Sequence, residues 1–205
     1  MSTQLYLTRH GETEWNVVHR MQGFKDSPLT ELGVRQAECL RTVMDTVAID
    51  IMYSSPSPRA MRTAEIIRGG RTIPLETSEA LKEMGFGIWE GRVHAEVQAH
   101  YPEQWIHFWH DPEMFSIKDS ETYAQVQNRA IHFTQEVLQK HPGKSVLIVT
   151  HTIIIKIIMA YFESSDIKQL WKSPEIHPTS LSRIDILDHT PKVVLHGDTS
   201  HYQYL

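Results

Sequence analysis

At 205 residues, with 40% hydrophobic and 22% charged side chains, the chain has the composition of a globular protein with one sizeable core and no need of a second domain. A formal net charge of −5 excludes a broad nucleic-acid or acidic-membrane surface, which needs an extended basic face, but leaves room for a small anion held by a local cluster of cations. The single cysteine, Cys39, excludes a disulfide framework, "MSTQLYLTRH" lacks the character of a signal peptide, and "TIIIKIIMAYF" is short and interrupted by Lys156, so a cytoplasmic location is expected.

In chain order, "QLYLTR" (4–9) reads as a strand, followed by a helix over about residues 30–47 in which Cys39 is a packing residue. A second strand is predicted at 49–55 and a helix at 58–67, with Ser57 as its cap and Pro58 at the first helical position, where a missing N–H costs nothing. The aromatic, histidine-rich stretch at about 85–119 reads as a lid or insertion. Beyond it, Tyr123, Val126, Ala130, Phe133 and Val137 make one apolar helical stripe, with Ser120 as the expected cap. "SVLIVT" (145–150) is apolar without alternation, as a central strand covered on both faces should be, and a helix should begin just after His151. Strands at 181–187 and 192–197 close the chain. Alternating strands and helices predict one α/β domain over 1–205, a three-layer α/β/α sandwich with a mostly parallel central sheet.

In such sheets ligands gather beyond the carboxyl ends of the strands. The loops leaving the strands at 4–9, 49–55 and 145–150 carry Arg9, His10, Arg59 and His151, with Arg62 one helical turn further on. Guanidinium groups fork onto phosphate oxygens and helix N-termini add partial positive charge, so this cluster predicts a phosphate site.

The segments "LTRHGETEWN", "SSPSPRAMRTAE", "LKEMGFGIWEG" and "VLIVTHTIIIK" resemble, in order, the successive motifs of the histidine phosphatase superfamily, which includes cofactor-dependent phosphoglycerate mutases. Length and the run "RMQGFKDSPLTELG" are most similar to its bacterial broad-specificity phosphatases. The resemblance implies that His10 is a nucleophile that becomes a phosphohistidine, with the Gly11 carbonyl fixing its tautomer and Gly11 letting the backbone pass close to phosphate. It further implies that Arg9, Arg59 and His151 stabilise the transferring phosphoryl group and that Glu83 protonates the leaving oxygen and then activates water. Asn16, Gln22, Gly23 and Thr152 are the implied substrate-binding set; Thr152 stands where the family usually has glycine.

Hydrolysis is favoured over mutase activity because the stretch 86–121 offers only Arg92 and Lys118, besides histidines, for a second anionic group. Phe24, Met84, Trp89, Trp105, Phe108, Trp109, Met114 and Phe115 are instead candidates for an apolar wall beside the leaving group. A phospholigand-binding module without turnover is the alternative from a different class; the presence of both His10 and Glu83 argues against it. His107, His110 and Asp111 have a spacing that can hold a metal, but Trp105, Phe108 and Trp109 on the same helix favour packing. No metal or cofactor is expected, the expected partner is a small phosphorylated metabolite, and the chain is expected as a monomer or homodimer.

Overall fold

Along the first strand, Leu5 and Leu7 belong to one apolar cluster and Tyr6 to another, as the two-residue period of a strand buried on both faces requires. The computed structural model describes residues 2–172, 174–188 and 190–205. Its strands β1 (Ser2–Arg9), β2 (Ile51–Ser54), β3 (Leu75–Thr77), β4 (Ser145–Thr150), β5 (Leu181–Leu187) and β6 (Thr190–Asp198) form one sheet in the order β3-β2-β4-β1-β5-β6. β1, β2, β3 and β4 pair in parallel, whereas β5 lies antiparallel to both β1 and β6. Only residues 188 and 189 separate β5 from β6, far too few for a parallel crossover.

The helices are α1 (Glu14–Val17), α2 (Glu31–Met44), α3 (Pro58–Arg68), α4 (His94–His100), α5 (Pro102–His110), α6 (Tyr123–Lys140) and α7 (Thr152–Glu163). On one face of the sheet Leu5, Leu7, Tyr53 and Ile148 pack with Val126 and Ala130 of α6 and Ile154 and Ile158 of α7. On the other, Tyr6, Met52, Leu147 and Val149 pack with Leu40 and Met44 of α2 and Ala60 and Ile67 of α3. The architecture is the expected α/β/α arrangement around a mostly parallel sheet. Cys39 is buried in α2, as its place in the apolar pattern implies.

Several local expectations change. Helix α6 is capped by Thr122, not Ser120: the Thr122 hydroxyl accepts from the Gln125 backbone N–H at 3.3 Å and the Gln125 side chain accepts from Thr122 N–H at 2.8 Å. This reciprocal box satisfies two orphan backbone donors, while Ser120 donates to the Ile117 carbonyl at 3.0 Å. Ser57 occupies the cap position of α3 but makes no capping bond; its hydroxyl accepts from Ser55 Oγ at 3.2 Å. Helix α2 ends at Met44, three residues before the expected limit at Val47. β3 is a three-residue edge strand with largely exposed side chains, which is why no hydrophobic run announces it. The region 85–119 folds as α4, α5 and two single turns, and Trp89, Phe108 and Phe115 from it are buried in the same cluster as α6 and α7.

The loop after β1 crosses the start of α2 at backbone distance. A Cβ on Gly11 would lie 2.4 Å from the Gly33 carbonyl oxygen, and one on Gly33 would lie 2.1 Å from that of Glu12. The absent side chain at Gly11 is therefore required first by Gly33, which adds a cause to the expected approach of phosphate. The crossing is tied by Thr30 Oγ1, which donates to Glu12 Oε1 at 2.8 Å, and by Gly11 N–H, which donates to Thr63 Oγ1 at 3.0 Å. Gly33→Ala should therefore cost about 1–3 kcal/mol through overpacking. At about 2–4 °C per kcal/mol for a chain of this size, thermal unfolding should show Tm falling by several degrees; an unchanged Tm would contradict the crossing.

Candidate active site

Parallel pairing of β1 with β4 places Arg9 opposite Thr150, so His10 and His151 leave the sheet side by side, with ring centroids 5.2 Å apart. The His10 backbone N–H donates to the Thr150 carbonyl at 3.0 Å, holding the two strand ends together. β2 ends beside them, and Arg59 enters from the first turn of α3. Glu83 is brought in by a loop that β4 and α7 grip from beneath: Thr150 Oγ1 donates to the Leu81 carbonyl at 2.7 Å and the Ile153 N–H donates to Glu83 Oε2 at 3.3 Å. Arg9, His10, Arg59, Glu83 and His151 thus converge at the carboxyl ends of the strands, as expected of a parallel sheet.

The protonation of His10 follows from two contacts. Arg59 has no acceptor to offer, so its Nε–H, 3.3 Å from His10 Nε2, must be the donor and Nε2 the lone-pair nitrogen. The ring proton therefore sits on Nδ1, which donates to the Gly11 carbonyl at 2.8 Å. Burial, with only 4% of the residue exposed, and then the charges of Arg59 and Arg9 hold the His10 pKa well below 6.5; the Gly11 contact opposes them. Burial first, and then Arg59, His10 and Arg9, likewise hold the His151 pKa well below 6.5. Its Nδ1 accepts from Arg59 Nη2 at 3.2 Å and its Nε2–H donates to Ser55 Oγ at 2.8 Å.

Arg59 is almost wholly buried and held from behind by Asp26, whose Oδ1 lies 2.8 Å from Nη1, and by the carbonyls of Lys25 at 3.0 Å and Gly23 at 2.8 Å. Gly23, expected to bind substrate, instead serves as an anchor for Arg59 and does not line the cleft. A cradle around the Glu90 carboxylate shapes this anchor. Glu90 accepts from the backbone N–H groups of Gly23, Phe24, Lys25 and Phe86 at 2.8–3.2 Å. Arg9 donates through Nη1 to the Ile176 carbonyl at 2.9 Å, and its buried Nε has no partner among the described residues, a donor suited to an anion.

Glu83 is 6% exposed, and burial raises its pKa above 4.5 against the opposing pull of the Met84 and Ile153 N–H groups, Arg59 and Arg129. Arg129 fixes its loop by donating to the carbonyls of Ala80 at 2.8 Å, Lys82 at 2.7 Å and Glu83 at 3.1 Å, while a carboxylate, Glu121, balances its charge. Asp26, Glu90 and Arg129 were not legible as site residues, since each acts on groups distant in sequence, Asp26 on the Arg59 guanidinium and Glu90 and Arg129 chiefly on backbone groups.

Arg9, His10 and Glu83 line one cleft of about 670 Å³, together with Asn16, Gln22 and Thr152. Gln22 is itself engaged, accepting from Thr13 Oγ1 and donating to Ser27 Oγ, both at 2.9 Å. Asn16 completes the capping box of α1 through its side-chain oxygen, 3.1 Å from the Thr13 N–H. Of the eight apolar residues proposed as a wall, only Phe108 and Trp109 line the cleft. Met84, Trp89 and Phe115 are core, Phe24 and Met114 are mostly exposed, and Trp105 packs partly buried against the core. Phe86 and Trp171 supply the rest of the aromatic lining. Arg62 points away, paired with Glu65 at 3.8 Å. Among the described residues, His107, His110 and Asp111 form no group arranged to hold a metal, and no helix is long and apolar enough to cross a membrane.

Comparison with known proteins gives the family and the fold. Residues 5–199 match the family model of the histidine phosphatase superfamily, branch 1. The solved structure of Bacillus stearothermophilus YhfR superposes with a TM-score of 0.94 at 43% identity, covering 97% of this chain and 98% of that one. Phosphoserine phosphatase 1 of Hydrogenobacter thermophilus is 32% identical over 168 residues, 82% of this chain and 80% of that protein. A 2,3-bisphosphoglycerate-dependent phosphoglycerate mutase of Cytophaga hutchinsonii is 29% identical over 193 residues, 92% of this chain and 85% of that protein. With the family's pattern matched over nearly its whole length, the chain belongs to the histidine phosphatase superfamily.

Proposed function

We propose that the protein hydrolyses phosphomonoesters of small metabolites through a phosphohistidine on His10, without a metal or other cofactor. The observation that carries this reading is the single His10 tautomer: its proton is committed to Gly11, so the Nε2 lone pair lies among Arg9, Arg59 and His151. Nε2 attacks phosphorus as the ester P–O bond breaks, and the leaving oxygen takes the proton of Glu83. The Glu83 carboxylate then removes a proton from water, whose oxygen attacks phosphorus as the P–N bond breaks, restoring neutral His10 and releasing inorganic phosphate. Arg9, Arg59 and the Thr152 end of α7 bear the charge of the transferring group.

Hydrolysis rather than phosphoryl transfer to a second hydroxyl is supported by the placement of the two cations in the 86–121 stretch. Neither Arg92 nor Lys118 lines the cleft, and Arg92 is spent on Glu96 at 3.1 Å; of Arg20, Lys156 and Lys172, which do line it, Arg20 is held by the Gly91 carbonyl and Lys156 by those of Lys172 and Pro174. Relaxed specificity among leaving groups fits a cleft whose far walls are largely aromatic.

His10→Ala should abolish phosphate release and the acid-labile phosphoryl label that forms on brief exposure to a labelled ester. A label that persists in the variant would remove His10 from this role.

The profile of kcat/KM against pH should be a bell. Its acid limb lies below 6.5, where the lone pair of His10 is lost as pH falls through a depressed pKa. Its alkaline limb lies above 4.5, where the proton of Glu83 is lost as pH rises through an elevated one. Glu83→Gln should erase the alkaline limb and cost about 10²–10⁴-fold on alkyl phosphates, and much less on p-nitrophenyl phosphate, whose leaving group needs no proton. An alkaline limb that survives the substitution, or an equal loss on both esters, would assign the proton to another group.

A further inference from the structure

Among the described residues, five other than glycine have φ in the left-handed region: His19, Asp119, Ser164, Thr179 and Asp188. Four of them are exposed; Thr179, at φ 54°, is wholly buried and alone is β-branched. That conformation crowds a branched side chain, and it persists only where the surroundings impose it. Here the surroundings lie against the active site.

Thr179 stands where β5 parts from β1. Their antiparallel register runs from Ser2 opposite Leu187 to Thr8 opposite Leu181, so Arg9 and His10 lie beyond the ladder on this side. The turn at Thr179 returns a donor to them: its N–H donates to the Arg9 carbonyl at 3.1 Å and, at 3.4 Å, to that of His10. Three residues earlier the same segment offers the Ile176 carbonyl to Arg9 Nη1. The segment 176–179 thus holds Arg9 at both ends, backbone and guanidinium, while Ile176 and Pro178 line the cleft. Arg59 is held by other groups, Asp26 and the carbonyls of Gly23 and Lys25.

A single turn at Ser200–Tyr204 braces that segment from behind. The Tyr202 hydroxyl donates to the Pro178 carbonyl, and the buried His201 meets Thr179 Oγ1 through Nε2 at 3.2 Å. Thr179 Oγ1 also donates to the Gln36 carbonyl of α2 at 3.5 Å, which commits the hydroxyl proton, so the Nε2–H of His201 is the donor in the other contact. Pinned through its hydroxyl on one side and its N–H on the other, Thr179 is kept at a φ that it would otherwise leave.

We propose that Thr179 is a positioning residue for Arg9, and that the turn at 200–204 acts on catalysis through it. This rests on phosphate binding at Arg9 and His10. Arg9 enters the cleft from the last position of its strand, and its buried Nε has no partner among the described residues, so the frame supplied by 176–179 sets where the guanidinium lies. Without that frame the cation loses the preorganisation that makes it effective toward a transferring phosphoryl group.

The test uses p-nitrophenyl phosphate as substrate and orthophosphate as competitive inhibitor. Thr179→Val, which keeps the branched shape and removes the hydroxyl, should lower kcat/KM by about 10- to 100-fold, the scale of an ångström displacement, and weaken inhibition by orthophosphate. Tyr202→Phe should act in the same direction, and it decides the matter if the valine variant does not fold. Thr179→Ser keeps the hydroxyl and should retain most of the activity. In an Arg9→Ala background the loss from either substitution should shrink toward nothing, whereas in an Arg59→Lys background it should persist. Variants that unfold at lower temperature but keep wild-type kinetics would make Thr179 a structural tie alone and overturn the proposal, as would equal losses in the two backgrounds. If the wild type releases no phosphate from the ester, the hydrolytic reading fails by itself. Calorimetric binding of orthophosphate then decides the positioning role, which falls if the variants bind it as the wild type does or if the wild type binds none.

Discussion

The Gly11 carbonyl accepts the Nδ1 proton of His10, and this one hydrogen bond determines which nitrogen of a buried imidazole is free to react. With Nδ1–H so committed, the lone pair of Nε2 lies at Arg59 and beside His151, where a phosphoryl group would have its negative oxygens paired. The opposite tautomer would aim a proton at the incoming phosphorus and a lone pair at a carbonyl oxygen, and both contacts would be repulsive. The backbone of residue 11 can take its place only because Gly11 and Gly33 lack side chains at their crossing, so a requirement of chain packing and a requirement of chemistry meet in the same few atoms.

Burial acts in opposite senses on the two groups proposed as reactants. Removing a group from water disfavours its charged form, which lowers the pKa of His10 and raises that of Glu83. Both shifts run toward a neutral imidazole and a protonated carboxyl, the pair that the proposed reaction needs at one pH and that the ordinary values of the two groups do not supply. The cationic charge needed for phosphate is carried by arginines, which keep it under burial. Arg59 is tethered by Asp26 and by backbone carbonyls, so its position is set before a ligand arrives, as electrostatic preorganisation requires.

Much of this was legible in the chain. The apolar run 145–150 announced a central strand, and the residues directly after the strands at 4–9 and 145–150 are the two histidines that the register brings together. The parts that escaped reading depend on partners far apart in sequence. Glu90 looks like an ordinary glutamate until four backbone N–H groups, three of them from residues 23–25, are seen to converge on it. Gly23 matched a substrate-binding pattern, but its carbonyl faces Arg59. The aromatic residues at 85–119 could not be divided into wall and core from spacing alone, because α4 and α5 are short and their faces are defined by what α6 and Trp171 leave open. Lys156 did carry a signal, a charge amid five isoleucines of α7, but its partners, the carbonyls of residues 172 and 174, come from further along the chain.

The central claim concerns one proton, and nitrogen-15 NMR of the imidazole observes it directly. The account predicts that His10 in the free protein stays neutral, with Nδ1 protonated and Nε2 bare, as pH is lowered through 6.5 and well beyond. A His10 that titrates near 6.5, or that is neutral with its proton on Nε2, would contradict it.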